Sequence, residues 1–401
     1  MKHRGWISLT LLFVLISIPQ GRTEGKKQKK AKPAYVFTVE KEVARTPVKD
    51  QYHTGTCWAF ATLSFLESEL LRLGRGEFDL SEMFVARMAY PLKAAQYIRM
   101  HGAANFGPGG QGHDVLDVLA RYGIVPEDVY TGQRIDEARH NHGEMSAVLG
   151  GLLDGVLKNR GRRLTPRWPD AFEAVLDVYL GRPPETFSYK GEQFTPTTFL
   201  TDHLGLNPED YIEVTSYSHH PFYGRIRLEV PDNWSHNDRY YNVPIDDLER
   251  IVEHALANGY SVAWDADVSD AGFSPKEKED LEVYERAEYA IVPTKDPEEL
   301  TEAEKKKKYT EPVREKEITQ AMRQRNFDNY TTTDDHLMHL VGLARDQAGT
   351  RFYLTKNSWG MDRRYGGYQY VSRSYMRLHT ICLMVNRHSL PRDIQDRLGL
   401  D

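Results

Sequence analysis

The chain has 401 residues, of which 40% are hydrophobic, enough for one large or two modest domains. The formal net charge of −6 argues against a protein whose main partner is DNA or RNA. Beyond the N-terminal segment, no apolar stretch approaches the length of a membrane span.

The N-terminal segment has the pattern of a secretory signal peptide. Lys2 and Arg4 precede an apolar run from Trp6 to Ile18, and polar residues follow. We therefore expect a signal peptide over residues 1–22, with a mitochondrial-type transit peptide as the alternative. Residues 23–34 are lysine-rich and predict a solvated basic tether, with an anion-binding segment as the alternative. The mature protein is then expected to be exported, to a bacterial periplasm or to the medium.

A cysteine stands at the start of the first predicted helix. Helical spacing of leucines predicts a helix from Cys57 to about Gly74. A thiol at a helix N-terminus meets unpaired N–H groups and the positive end of the helix dipole, which favour the nucleophilic thiolate. The alternative is a buried cysteine that acts as a small hydrophobic side chain.

Two further helices are predicted before residue 130. Ser81 is expected to cap the second helix, and the third begins near Asp114. The glycines Gly109 and Gly110 precede the third helix, where a simple turn would also explain them.

The middle of the chain alternates between predicted helices and strands. Helical periodicity covers residues 136–189 and 245–258, whereas residues 211–230, 240–245 and 260–268 have the composition of strands. Residues 275–325 are highly charged and predict a mobile excursion with an exposed helix.

The C-terminal quarter carries a second group of polar residues among apolar strands. His336 opens a strand-like run, and Asn357 follows in an Asn-Ser-Trp-Gly block. Strands are predicted over residues 365–371 and 375–385, and the second of these contains Cys382, which we expect to be buried and inert. Residues 390–401 predict a short helix or arm.

These motifs, in this order, resemble the papain family of cysteine peptidases. The resemblance implies that Cys57 is the nucleophile, His336 the general base and Asn357 the residue that orients the base. It assigns Gln51 to the oxyanion hole. Two supporting tryptophans match as well, Trp58 beside the nucleophile and Trp359 over the His–Asn hydrogen bond.

Two histidines compete for the role of the base. His336 keeps the family spacing to Gly342, whereas His339 breaks it. Residues three apart on a strand point to opposite faces, so only one of them can address Cys57. We assign the base to His336 and expect His339 to lie in the core or on the second face.

A narrower resemblance, to the bleomycin hydrolase and bacterial aminopeptidase C group, extends over nearly the whole mature chain. Its motifs are Leu80-Ser-Glu-Met-Phe, Gly109-Gly-Gln111, Tyr240-Asn-Val-Pro-Ile-Asp-Asp-Leu248, Phe327-Asp-Asn-Tyr330, Thr333-Asp-Asp-His336 and Leu390-Pro391. The resemblance implies a ring-shaped homohexamer and a C-terminal arm in the cleft. Asp401 would then receive the substrate's free α-ammonium, and Gly109 and Gly110 would pair with the substrate backbone. A disordered tail is the alternative for the arm.

The expected fold is α+β and papain-like, with a helical lobe bearing Cys57 and a β-rich lobe bearing His336 and Asn357. Residues 35–401 would form one peptidase domain with an insertion at about 136–325 and an arm at 390–401. The expected function is that of a cysteine aminopeptidase acting on peptides with free N-termini, with no cofactor, metal, nucleic acid or membrane segment in the mature chain. A papain-like endopeptidase and a non-catalytic papain-fold binding protein are the alternatives.

Overall fold

The structure is a computed structural model that describes residues 35–135, 139–161, 163–274, 287–295, 299, 301 and 311–400. The predicted signal peptide, the tether and Asp401 lie outside the described residues. The helices run α1 Cys57–Arg72, α2 Glu82–Arg99, α3 Gly112–Tyr122, α4 Gly143–Leu157, α5 Trp168–Tyr179, α6 Pro196–Thr198, α7 Ile245–Ala257, α8 Gln320–Asp328, α9 Arg373–His379 and α10 Arg392–Leu398. The strands run β1 Phe37–Glu42, β2 Phe187–Tyr189, β3 Glu192–Phe194, β4 Tyr211–Thr215, β5 Gly224–Ile226, β6 Tyr240–Asn242, β7 Val262–Ala266, β8 Tyr289–Ala290, β9 His336–Asp346, β10 Arg351–Lys356, β11 Tyr368–Ser372 and β12 Thr380–Asn386.

The helical lobe is built around α1. Fourteen consecutive residues of α1, from Cys57 to Leu70, are buried, so the helix is covered on all sides. Its apolar side chains pack with those of α2 and α3 in one core cluster. Each fully buried leucine or phenylalanine there contributes about 1.5–3 kcal/mol relative to an exposed one. α2 begins as predicted, because the hydroxyl of Ser81 accepts a hydrogen bond from the backbone of Phe84.

The β-rich lobe is one large sheet in the described part of the chain. Its strands are ordered β5-β6-β4-β12-β7-β9-β10-β11-β8, and β1 pairs with β9 beside that path. β9 is long enough to pair with β7 through residues 336–340 and with β1 through residues 342–346, while β10 lies along its other edge. This central position fixes His336, the first residue of β9, at the end of the sheet that meets α1.

The two lobes meet where α1 packs on β9. Leu337 of β9, Ala263 of β7 and Met384 of β12 join the helical core cluster rather than the cluster inside the sheet. The candidate catalytic residues lie at this junction.

Three predicted elements differ from the structure. The strand expected over 375–385 is helix α9 followed by β12, because the hydroxyl of Ser372 accepts a hydrogen bond from the backbone of Tyr375 and starts a helix. The strand expected over 211–230 is broken into β4 and β5 by a turn in which Tyr223 has φ of 63°. The helical stretch expected over 136–189 contains two separate helices, α4 and α5, and then strand β2.

The remaining strand and helix predictions near the site agree with the structure. α7 spans Ile245–Ala257 and β7 spans Val262–Ala266, within the expected ranges. Among the described residues, no helix is both long and apolar enough to cross a membrane.

Candidate active site

The side chain of Cys57 lies buried at the N-terminus of α1. Its sulfur accepts a hydrogen bond from the backbone N–H of Leu337, the residue that follows His336 on β9. The fold therefore brings the N-terminus of α1 against the first residues of β9, although Cys57 and His336 are far apart in the sequence.

The imidazole of His336 is oriented by Asn357. Nε2 of His336 lies 2.8 Å from Oδ1 of Asn357. Because a carboxamide oxygen only accepts, Nε2 carries the proton and Nδ1 is left as the basic nitrogen. The indole of Trp359 stacks on the imidazole, with ring centroids 4.7 Å apart and an interplanar angle of 24°. The indole therefore covers this hydrogen bond, as the resemblance predicts.

A further chain of hydrogen bonds fixes the amide of Asn357. Nδ2 of Asn357 donates to Oε1 of Gln369 at 3.1 Å, and Nε2 of Gln369 donates to Oγ of Ser274 at 2.6 Å. These contacts require Oδ1 of Asn357 to point towards His336. Sequence reasoning missed Gln369 and Ser274, since neither belongs to a recognisable motif.

Gln51 is placed by the same Asn-Ser-Trp-Gly block. Its backbone N–H donates to the carbonyl of Ser358 at 2.8 Å, and its Oε1 accepts from the hydroxyl of Ser358 at 2.5 Å. With Oε1 engaged, the Nε2 amino group is the end of the side chain that remains to donate to an oxyanion. Ser358 was also missed, although its position between Asn357 and Trp359 was a usable signal.

The electrostatics at Cys57 differ from the thiolate that its position at a helix N-terminus predicts. Burial, with smaller contributions from nearby carboxylates, raises the pKa of the Cys57 thiol to about 12. Burial also lowers the pKa of His336 to about 4, against the opposing effects of Asn357 and Asp335. At Cys57 the loss of hydration outweighs the hydrogen bond from Leu337, and at His336 it outweighs Asn357 and Asp335. Both shifts favour a neutral thiol and a neutral imidazole.

The two glycines predicted to bind the substrate backbone lie beside the nucleophile. The indole N–H of Trp58 donates to the carbonyl of Pro108 at 2.9 Å, which ties the glycine loop to α1. A Cβ on Gly110 would lie 3.1 Å from the ring of Trp58, and a Cβ on Gly109 would collide with the carboxylate of Asp232. Gly110 therefore packs too closely on the indole for a larger residue, whereas a side chain at Gly109 would displace the Asp232 carboxylate. The role of both glycines towards the substrate stays a prediction.

The competing histidine lies away from this arrangement. His339 is 1% exposed, and its Nδ1 lies 2.9 Å from Oγ of Ser64, inside the interface between α1 and β9. Cys382 is buried and free, as expected. Its thiol donates a hydrogen bond to Oε1 of Gln111, 3.4 Å away.

The end of the chain packs on α7 as far as it is described. Ile394, Leu398 and Leu400 are buried in the core cluster that contains α7. Arg250 of α7 pairs with Asp393 at 2.8 Å. Asp401 itself lies outside the described residues, so its role in binding the substrate amine stays a prediction.

One group of side chains has the geometry of a possible metal site, and it lies outside the cleft. The candidate ligand atoms of His219, His220 and Glu229 all lie within 4.8 Å of one another. Both imidazoles already pair with the carboxylate, at 3.2 and 2.8 Å, and the group is largely exposed. It does not bear on the chemistry at Cys57.

Comparison with known proteins identifies the family. The model of the Peptidase C1-like family matches residues 96–400. The chain belongs to the Peptidase C1-like family. The matched region includes His336 and Asn357 and begins after Cys57, so the assignment of the nucleophile rests on the geometry described above.

Curated relatives and a solved structure extend the match over most of the chain. Human bleomycin hydrolase is 22% identical over 395 residues, covering 87% of this chain and 82% of its own length. Aminopeptidase G of Lactobacillus delbrueckii subsp. lactis is 21% identical, covering 89% of this chain and 85% of its own. The crystal structure of PepW from Lactobacillus rhamnosis HN001 superposes with a TM-score of 0.67 at 19% identity, covering 90% of this chain and 84% of PepW. The predicted papain-like α+β fold and the assignment to the cysteine peptidases are confirmed.

Proposed function

We propose that this protein is a cysteine aminopeptidase, which removes N-terminal residues from peptides. The observation that carries the proposal is the convergence of Cys57, the His336–Asn357 pair and Gln51 at one junction between the lobes. The curated relatives named bleomycin hydrolase and aminopeptidase C, G and W support the exopeptidase assignment.

The chemistry begins with proton transfer. Nδ1 of His336 accepts the thiol proton, and the sulfur of Cys57 attacks the carbonyl carbon of the first peptide bond. The oxyanion accepts hydrogen bonds from Nε2 of Gln51 and from the backbone N–H of Cys57. The imidazolium then protonates the departing amine, and the C–N bond breaks to leave a thioester.

Water completes the cycle. His336 takes a proton from water, which attacks the thioester and releases the N-terminal amino acid and the free thiol. Trp359 and Asn357 hold the imidazole through both halves of the reaction, because the ring must return to the same orientation. This chain supplies every side chain that the proposed reaction uses.

Matched fluorogenic aminoacyl amides, free and acetylated at the α-amine, test the proposal under reducing conditions. An aminopeptidase cleaves the free amine and leaves the acetylated compound largely intact. Equal or faster cleavage of the acetylated compound would identify the alternative, a papain-like endopeptidase. A protein that cleaves neither and resists covalent thiol inhibitors at Cys57 would be the non-catalytic binding protein.

Export and oligomeric state are further parts of the proposal. The charge and hydropathy pattern of residues 1–22 supports a signal peptide and therefore a periplasmic or secreted enzyme. The resemblance supports a homohexamer. N-terminal sequencing of the protein made in its host and light scattering of the purified chain test these two points separately.

A further inference from the structure

A pocket lies at the N-terminal end of α4. Its described lining consists of residues 132–135, residues 139–142, Met145 in the first turn of α4, and Tyr179 and Leu180 at the end of α5. The candidate catalytic side chains are not among these residues. The start of a helix favours a negatively charged ligand, because its first N–H groups are unpaired and the helix dipole is positive there. At 15 residues, α4 is long enough for this effect.

The pocket contains a buried histidine whose two ring nitrogens are unpaired. His142 is the N-cap residue of α4, and its backbone N–H donates to the carbonyl of His53 at 3.0 Å, which fixes its position. The residue is 3% exposed, and neither Nδ1 nor Nε2 has a hydrogen-bond partner among the described residues. Buried polar atoms without partners are costly, so the imidazole of His142 points to a ligand that hydrogen-bonds to it in the pocket.

The polar side chains next to His142 are engaged elsewhere. Oδ1 of Asn141 accepts a hydrogen bond of 3.0 Å from the backbone N–H of Gly143. Oε1 of Glu144 accepts a hydrogen bond of 2.7 Å from the hydroxyl of Tyr179. The partner that the imidazole requires therefore has to come from outside these residues.

The charge of the pocket favours an anion. Its described lining includes two arginines, Arg134 and Arg139, and no acidic residue. The nearest carboxylate to Arg139 is that of Asp50, whose Oδ2 lies 3.5 Å from the guanidinium Nε, and more than half of the arginine side chain is exposed. An oxyanion in the pocket could approach the guanidinium more closely than this, since charge-assisted N–H···O hydrogen bonds have lengths of about 2.7–2.9 Å.

The protonation state of His142 is compatible with such a ligand. Burial, with a smaller contribution from His140, lowers the pKa of His142 to about 4. The neutral ring therefore has one N–H donor and one acceptor nitrogen at neutral pH. A bound anion favours the protonated ring, in which both nitrogens donate to ligand oxygens.

We propose that this pocket binds a small oxyanion, a phosphate or a carboxylate, through His142, Arg134, Arg139 and the N-terminus of α4. The shared chemistry is a compact negative charge on oxygen atoms that accept hydrogen bonds. Free phosphate and the carboxylate of a peptide or metabolite are the two sources. The site does not depend on the proposed peptidase function, because its lining and the candidate catalytic residues are separate sets.

The pocket shares a wall with the segment that carries the oxyanion donor. Arg139 pairs with Asp50 and lies over the ring of Tyr52, 5.1 Å from its centroid, so it contacts both neighbours of Gln51. An anion that draws Arg139 away from Asp50 weakens the support of Gln51. Phosphate should therefore lower kcat and leave KM unchanged.

Isothermal titration calorimetry at pH 7 tests the site directly. The titrants are inorganic phosphate, acetylglycine and acetylglycinamide, with the ionic strength held constant by sodium chloride. The protein is the full chain with Cys57 blocked by a covalent thiol-peptidase inhibitor, so that binding in the cleft does not contribute. Acetylglycinamide lacks the carboxylate and is the matched control for acetylglycine.

The variants are Arg134→Gln, Arg139→Gln and His142→Phe. Arg167→Gln is the control, because Arg167 is an exposed arginine at the opposite end of α5 that pairs with Asp170. We expect each pocket variant to weaken phosphate binding at least about 5-fold, with the control within about 2-fold of wild type. Circular dichroism establishes that each variant is folded. The two arginine variants carry the test if His142→Phe does not fold.

Binding of phosphate alone or of acetylglycine alone would support the site and identify the source of its ligand. Absence of binding by both anions at about 10 mM would overturn it, as would equal weakening in Arg167→Gln and in the pocket variants. In the uninhibited enzyme, a phosphate effect on KM alone would place the anion in the cleft and also overturn the site. An enzyme that binds phosphate but cleaves no peptide would retain the site while the peptidase function fails.

Discussion

The hydroxyl of Ser358 donates a 2.5 Å hydrogen bond to Oε1 of Gln51, and so joins the two segments that carry the oxyanion donor and the base-orienting asparagine. The carbonyl oxygen of Ser358 also accepts a hydrogen bond from the backbone N–H of Gln51. Its own N–H donates to Oδ1 of Asn357 at 2.7 Å. Ser358 therefore positions the side chains of both Gln51 and Asn357.

Ser358→Ala should lower kcat about 10-fold, because the amide of Gln51 loses the bond that sets its orientation. Gln51→Ala should lower kcat at least about 100-fold, since it removes the donor itself. KM should change little in both. Steady-state kinetics on a free-amine substrate measures these effects. Ser374→Ala is the control, because the hydroxyl of Ser374 donates to the carbonyl of Lys316 and to none of the candidate catalytic residues. A Ser358→Ala enzyme with wild-type kcat would show that Gln51 does not depend on this contact.

Substitution of the two histidines of β9 should have different effects, one on activity and the other on stability. His336→Ala removes the base and should abolish measurable turnover, whereas His339→Ala should retain activity and lower the melting temperature. The reason is that His339 contacts Ser64 in the buried interface and not the nucleophile. Activity and thermal unfolding of the two variants, measured side by side, check the assignment. Loss of turnover in a folded His339→Ala variant would reverse it.

Stability should depend strongly on Glu67, a fully buried residue of α1, the helix that begins at Cys57. Its buried carboxylate accepts hydrogen bonds from the hydroxyl of Thr46 at 2.5 Å and from the backbone of Leu80 at 2.9 Å, and it pairs with Lys49 at 3.5 Å. Glu67→Ala leaves these donors without their acceptor in a buried place. We expect a loss of about 3 kcal/mol in the free energy of unfolding, measured by denaturant titration.

The matched control for that experiment is Glu77→Ala, since Glu77 is exposed. Its unfolding free energy should stay within about 0.5 kcal/mol of the wild type. Equal effects of the two substitutions would mean that the Glu67 contacts contribute little.

The candidate catalytic residues could be proposed from the sequence, because each lies in a short motif with a chemical requirement, and their roles stay predictions. Gln51, Cys57, His336 and Asn357 are recognisable without knowledge of their packing. The same holds for the first helix, whose leucine spacing predicts its extent to within two residues of the observed end at Arg72.

The supporting residues were not predictable in the same way. Gln369 and Ser274 act through contacts between distant segments, and nothing in their local sequence indicates this role. Helix α9 was mistaken for a strand because its apolar residues continue directly into β12.

The most direct test of the whole account is hydrolysis of an unblocked aminoacyl coumarylamide by the wild-type chain and by Cys57→Ala, under reducing conditions. Cys382→Ser serves as the thiol control. We expect turnover in the wild type and in Cys382→Ser, none in a folded Cys57→Ala, and mass spectrometry that locates a covalent thiol-peptidase inhibitor on Cys57. Full turnover by Cys57→Ala, or labelling of Cys382 in place of Cys57, would contradict the assignment of the nucleophile and the mechanism built on it.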